Sequence, residues 1–236
     1  MRARTHAWVN THAYGRKGAA RPTMMVSTTG RQEAPMSAAA VERSCDHGEP
    51  TLLDEAEELA ERIPGYRVEI LGGSIVVTPP PDLRHARALT GLTLAFSSAE
   101  TEETLVVQGV GVWLPDGPFD HAIPDLAIVD ADAERHPVEK TYYDPAAFRM
   151  VLEVTSTNYL QDIRTKVIAY AIAKIPVYVI VDRKKQCLHV LTEPFANEFN
   201  NHRIYTSGDR AVLPTSIGAE IELDVADILK RAGRRS

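Results

Sequence analysis

The chain has 236 residues, 44% of them hydrophobic and 25% charged, with 26 Lys and Arg against 32 Asp and Glu. That composition suits a soluble globular domain with a sizeable core and excludes collagen-like, coiled-coil and wholly disordered classes. No apolar run reaches the ~18 residues of a membrane-spanning helix. Cys45 and Cys187 have no further cysteine at ligand spacing, which excludes a disulfide framework or a cysteine zinc cluster and points to a reducing cytoplasm.

Charge is unevenly spread. Residues 1 to 32 carry Arg2, Arg4, Arg16, Lys17, Arg21 and Arg31 and no acid, so the remainder is more acidic than the net charge of −6 suggests. An acidic body excludes a protein that coats duplex DNA through a broad basic surface, because phosphate neutralisation needs clustered Lys and Arg. Any nucleic-acid contact is then local or metal-assisted.

Residues 1–49 lack apolar periodicity and read as a disordered basic tail. A nucleic-acid-binding arm, a transit peptide, or a gene model extended upstream of Met24, Met25 or Met36 would share that composition. Residues 50–236 read as one domain. Thr51 with Asp54 three positions on opens an amphipathic helix that Pro64-Gly65 stops. A hairpin follows, with strands Tyr66–Leu71 and Ile75–Thr78 about Gly72-Gly73-Ser74, ended by Pro79-Pro80-Pro81. A second helix is predicted over Leu83–Ser98, burying Ala86, Leu89, Leu92, Thr93 and Phe96. Strands are predicted near 105–110, 124–129 and 148–155, then a third helix over 160–174, then strands at 177–182 and 187–192. Weaker strands near 203–206 and 219–223 precede a terminal helical turn. The order implies an α/β fold, a mixed β-sheet flanked by helices, with one strand–helix–strand unit from 148 to 182.

Phosphate-binding glycine loops, Gly-x-Ser-x-Gly elbows and His-Glu-x-x-His helices are absent from the sequence. What stands out is a pair of carboxylates in apolar strands. Asp125 opens Pro124-Asp125-Leu126-Ala127-Ile128-Val129, and Glu153 sits within Met150-Val151-Leu152-Glu153-Val154-Thr155. An ionised carboxylate there is costly unless a positive or hydrogen-bonding group meets it. Were the two strands antiparallel neighbours, the start of one would lie near the end of the other and the two acids would converge. On the third helix, Leu160, Ile163, Val167, Ile168, Ala171 and Ile172 form the expected core stripe. The opposite face, with Asp162, Lys166, Ala169, Tyr170 and Ala173, is too poor in charge for a solvated one and is expected to border a cleft. The plainer reading of Lys166 is a surface ion pair with Asp162, worth ~0.3–0.5 kcal/mol. For Tyr170 it is packing under a loop, and for His85, at the start of the second helix, local capping or packing.

These blocks, Ile123–Val129, Val151–Ser156, Asp162-Ile163-Arg164-Thr165-Lys166 with Tyr170, and Ile175–Asp182, resemble in order and spacing the Uma-two family of restriction-endonuclease-like proteins in the PD-(D/E)xK nuclease superfamily. The resemblance implies a restriction-endonuclease-like fold and a metal-dependent endonuclease that hydrolyses phosphodiester bonds, with DNA as the expected partner, Mg²⁺ or Mn²⁺ as cofactor and a homodimer for double-strand cleavage. It also implies roles for residues. Asp125 and Glu153 would hold the metal with the Val154 carbonyl, Lys166 would be the catalytic lysine, and Asp162 and Tyr170 fall on recurrent polar positions, with His85 where related sequences carry a histidine. Thr155 occupies the place of the superfamily lysine two residues after the glutamate, so Lys166 stands in from the helix. The competing expectation is a non-catalytic module on the same fold that binds nucleic acid or protein. Deleting residues 1–45 is expected to leave the melting temperature within ~5 °C of the full chain, as calorimetry would show; a larger drop means that the stretch is structured.

Overall fold

The computed structural model describes residues 49–156 and 158–233. The expected basic tail lies outside the described residues.

Helix α1, Leu52–Arg62, starts at a capping box in which Thr51 and Asp54 bond reciprocally, as their spacing predicts. Strands β1 (Arg67–Leu71) and β2 (Ser74–Thr78) form the expected hairpin. Its two-residue turn places Gly72 and Gly73 at φ +58° and +69°, a left-handed pair that glycine adopts without steric cost. Both glycine N–H groups donate to the Asp120 carboxylate at 2.6 and 3.1 Å, which anchors the hairpin tip. Helix α2, Leu83–Ala95, is capped by Asp82 and buries His85, Ala88 and Leu92. Ala86 faces out, contrary to the sequence reading, and His85 takes an inward place.

The chain continues through β3 (Thr104–Val107), β4 (Gly111–Trp113), β5 (His121–Ala122), β6 (Leu126–Asp130), β7 (Pro137–Glu139) and β8 (Tyr142–Tyr143). Strand β9 (Phe148–Val154) leads into a π-helical turn, Gln161–Thr165, and helix α3 (Lys166–Ile172). Then come β10 (Val177–Asp182), β11 (Cys187–Phe195), β12 (Glu198–Thr206), β13 (Arg210–Val212), β14 (Glu222–Asp224) and helix α4 (Val225–Ala232).

The central sheet has the order β12-β11-β10-β9-β6-β3. Within it β9 and β10 pair in parallel, as the strand–helix–strand reading requires, and the other neighbours are antiparallel, β6 and β9 with Leu126 opposite Leu152. A second six-stranded sheet, β2-β1-β5-β4-β8-β7, carries the hairpin. The pleat divides two cores. Leu126, Ile128, Met150, Leu152 and Val179 pack with Leu92 of α2 and Leu229 of α4, whereas Val151, Tyr178 and Ile180 pack with Ala169 and Tyr170 of α3 and with Leu71. Both faces of the central strands are therefore apolar, which accounts for their unbroken hydrophobic sequences.

Leu152 is fully buried at the middle of this sheet, whereas Leu94 is 68% exposed. Leu152→Ala is expected to cost about 2–5 kcal/mol in urea unfolding, and Leu94→Ala less than about 0.5 kcal/mol.

Candidate functional site

Glu153 lies on the α3 side of β9, opposite Ile180 in register, and is buried. Asp125 stands one residue before β6, not within it as the sequence suggested, and its carboxylate accepts the Val154 N–H at 2.8 Å and so closes the end of β9 from the side. The antiparallel register brings the start of β6 to the end of β9, so the two acids share one neighbourhood. A single guanidinium spans both: Arg67 reaches Asp125 Oδ1 at 2.7 Å and Glu153 Oε2 at 3.7 Å.

Lys166 occupies the other side of Glu153. Its ammonium lies 2.7 Å from Glu153 Oε1 and 2.9 Å from Glu69 Oε1, with the side chain only 3% exposed. The surface pair with Asp162 is thereby ruled out. The tertiary fold decided this through α3. At the π-helical turn the Lys166 N–H reaches back five residues to the Gln161 carbonyl, skipping that of Asp162, which accepts the Tyr178 hydroxyl at 2.8 Å. The wider turn sits just before the regular helix, whose charge-poor face is the one that packs inward. Asp162, Lys166, Ala169, Tyr170 and Ala173 become the buried face, and Leu160 and Ile168, expected in the core, are 59% and 43% exposed. The alanines let the helix approach the sheet closely enough for Lys166 to meet Glu153.

Tyr170 donates its hydroxyl to Glu153 Oε1 at 3.2 Å and meets Tyr178 edge-on, so it belongs to the cluster and does not pack under a loop. His85 is buried at the start of α2, and beyond the expected capping or packing its Nε2 lies 3.1 Å from Asp125 Oδ2. Two members escaped sequence reasoning. Arg67 and Glu69 alternate with Val68 and Ile70 on β1, and Glu69 accepts the Ile123 N–H at 2.7 Å as well as facing Lys166. The signal was present: a glutamate in an apolar strand asks for a partner, the argument that singled out Glu153. Of the expected residues, the structure gathers Asp125, Glu153, Lys166, Asp162, Tyr170 and His85, and Val154 through its N–H.

All of these groups but Tyr170 line an open cleft of about 870 Å³ between the hairpin, the α2 start and the π-helical turn. Burial raises the Asp125 carboxyl, but His85 and the Arg67 guanidinium more than offset this and hold it well below the usual carboxylate range. Glu153 goes the other way: burial dominates, and Lys166 does not fully offset it with Asp125 and Asp162 nearby. Asp162 is pushed up to about 7 by burial, opposed by Lys166 and reinforced by Asp125 and Glu69. The pocket is thus short of positive charge. Gln161 Oε1 is buried at its wall without a hydrogen-bond partner. Hard carboxylate and amide oxygens in an electron-rich cleft fit a divalent cation such as Mg²⁺.

The model of the Uma2 family, described as "Putative restriction endonuclease", matches residues 53–226. The fold is similar to that of the crystal structure described as a putative nuclease belonging to DUF820 from Anabaena variabilis, with a TM-score of 0.59 and 12% identity over 73% of this chain and 96% of that one. Identity this low speaks for a common fold alone. Comparison with curated proteins gives no match.

Asp162 generates a pH prediction. Its folded pKa of about 7 lies above the ordinary value of 3.8, so the folded state holds the proton more tightly and the stability this confers is lost as pH rises from about 4 through 7. With a chelator present, Asp162→Asn should gain stability over wild type by ~1–3 kcal/mol more at pH 8 than at pH 5 in urea melts. An equal difference at both pH values would show that Asp162 is ionised throughout.

Proposed function

The chain belongs to the Uma2 family of restriction-endonuclease-like proteins, and from that premise we propose that it is a metal-dependent endonuclease hydrolysing phosphodiester bonds in DNA. One observation carries the reading. Three buried acids, Glu69 from β1, Asp125 from the β6 start and Glu153 from β9, converge with a buried lysine at the floor of an open cleft.

Asp125 and Glu153, with the Val154 carbonyl, are the residues to hold Mg²⁺ or Mn²⁺. When bound, the cation supplies charge neutralisation at a phosphate oxygen and acidifies a water molecule. The chain's own groups do the rest. His85 and the Val154 N–H hold Asp125 in place and keep it ionised. Glu69 and Tyr170 fix the Lys166–Glu153 pair, so the ammonium stands where negative charge would grow on the transferring phosphate. Arg67 is more accessible than Lys166, 26% exposed against 3%, and is placed to donate to a phosphate oxygen at the cleft mouth. Double-strand scission would need two copies acting together, and the free Cys187 thiol suits a reducing cytoplasm.

The test uses supercoiled plasmid with Mg²⁺ or Mn²⁺. Glu153→Gln should abolish cleavage and the metal-induced rise in melting temperature together. Lys166→Ala should cut the cleavage rate at least tenfold, ~1.4 kcal/mol of barrier, while the metal-induced rise largely persists, and Lys166→Arg should not restore full activity. Plasmid binding without cleavage by wild type under every metal would support the non-catalytic module instead.

A further inference from the structure

We propose that Asp182, Cys187 and His189 form a second metal site, selective for a soft divalent ion of the zinc class, at the closed end of the β10–β11 hairpin. Asp182 and Cys187 are directly paired in the antiparallel register, and His189 lies two residues along β11 on the same face. All three are buried, and one ligand atom from each lies within 4.8 Å of the others. The spacing matches coordination closely. His189 Nε2 is 3.4 Å from Cys187 Sγ and 3.5 Å from Asp182 Oδ2. Bonds of ~2.0–2.3 Å in a tetrahedral shell place neighbouring ligand atoms about 3.3–3.8 Å apart.

Each ligand is also held from behind, as metal ligands generally are. His189 Nδ1 lies 2.9 Å from His202 Nε2; donation from Nδ1–H to His202 leaves Nε2 free to ligate. Asp182 Oδ1 accepts the N–H groups of Lys184 and Lys185 at 2.9 and 2.8 Å, and Oδ2 accepts the Tyr159 hydroxyl at 2.8 Å. Sulfur and imidazole select zinc or cobalt over magnesium, in contrast to the all-oxygen cleft. Three protein ligands leave a fourth position for water. A bound ion would cross-link β10 to β11 and, through Asp182, hold Tyr159 at the cleft wall. The proposal is independent of the nuclease reading, since it uses none of the cleft carboxylates.

The experiment strips the full chain with a chelator and titrates it with Co²⁺ in excess Mg²⁺. The expected result is one Co²⁺ per chain with a thiolate-to-cobalt charge-transfer band in the near ultraviolet, displaced by Zn²⁺. Cys187→Ser should abolish the band and His189→Gln should weaken Co²⁺ binding at least tenfold, while Glu153→Gln and Cys45→Ser keep both. Wild type lacking the band overturns the proposal without need of any variant, as does a band that survives Cys187→Ser or vanishes in Cys45→Ser.

Discussion

The architecture turns on one costly act, the burial of the Lys166 ammonium. Removing such a charge from water is tolerable only if carboxylates meet it at hydrogen-bond distance, and breaking one partner away leaves an uncompensated buried charge. Glu153 and Glu69 supply that match from two different sheets. The central sheet, the hairpin sheet and α3 must therefore dock in one relative arrangement for the lysine to be satisfied. The ion cluster acts as a register device as much as a candidate catalytic group.

Local features serve that docking. The left-handed Gly72-Gly73 turn, clamped by Asp120, sets the hairpin so that Arg67 and Glu69 reach the end of β9. On the other side, Asp162 and Lys166 face inward about the π-helical turn, and the Tyr178 hydroxyl satisfies the carbonyl that the turn skips.

The same cluster separates its acids chemically. Asp125, touched by Arg67 and His85, stays ionised, whereas Glu153 and Asp162 are driven upward by burial that the cations do not wholly offset. A pocket holding both kinds of carboxyl would suit a hard cation, because added positive charge relieves the repulsion between them. At the β10–β11 turn the donors are sulfur and imidazole as well as oxygen, so two neighbouring sites at the same end of the sheet would draw different metals.

Much of the layout followed from the sequence itself. Thr51 and Asp54 marked the first helix, the glycine pair marked the hairpin, and continuous apolar runs marked the central strands, because caps, turns and burial act over a few residues. Asp125, Glu153 and Lys166 were legible as a set through their costly placement and the family blocks around them. Tertiary structure alone decided the rest. That the Lys166 and Tyr170 face of α3 is buried depended on the carboxylates that β9 and β1 bring against it. Arg67, Glu69 and His85 joined the site from segments 86, 84 and 68 residues before Glu153 only by tertiary packing, with Arg67 reaching Asp125 across 58 positions of sequence. Cys187, dismissed for want of a second cysteine, gained Asp182 and His189 through strand register. Local propensity reads neighbours along the chain; a buried charge finds its partners only where the fold brings distant strands together.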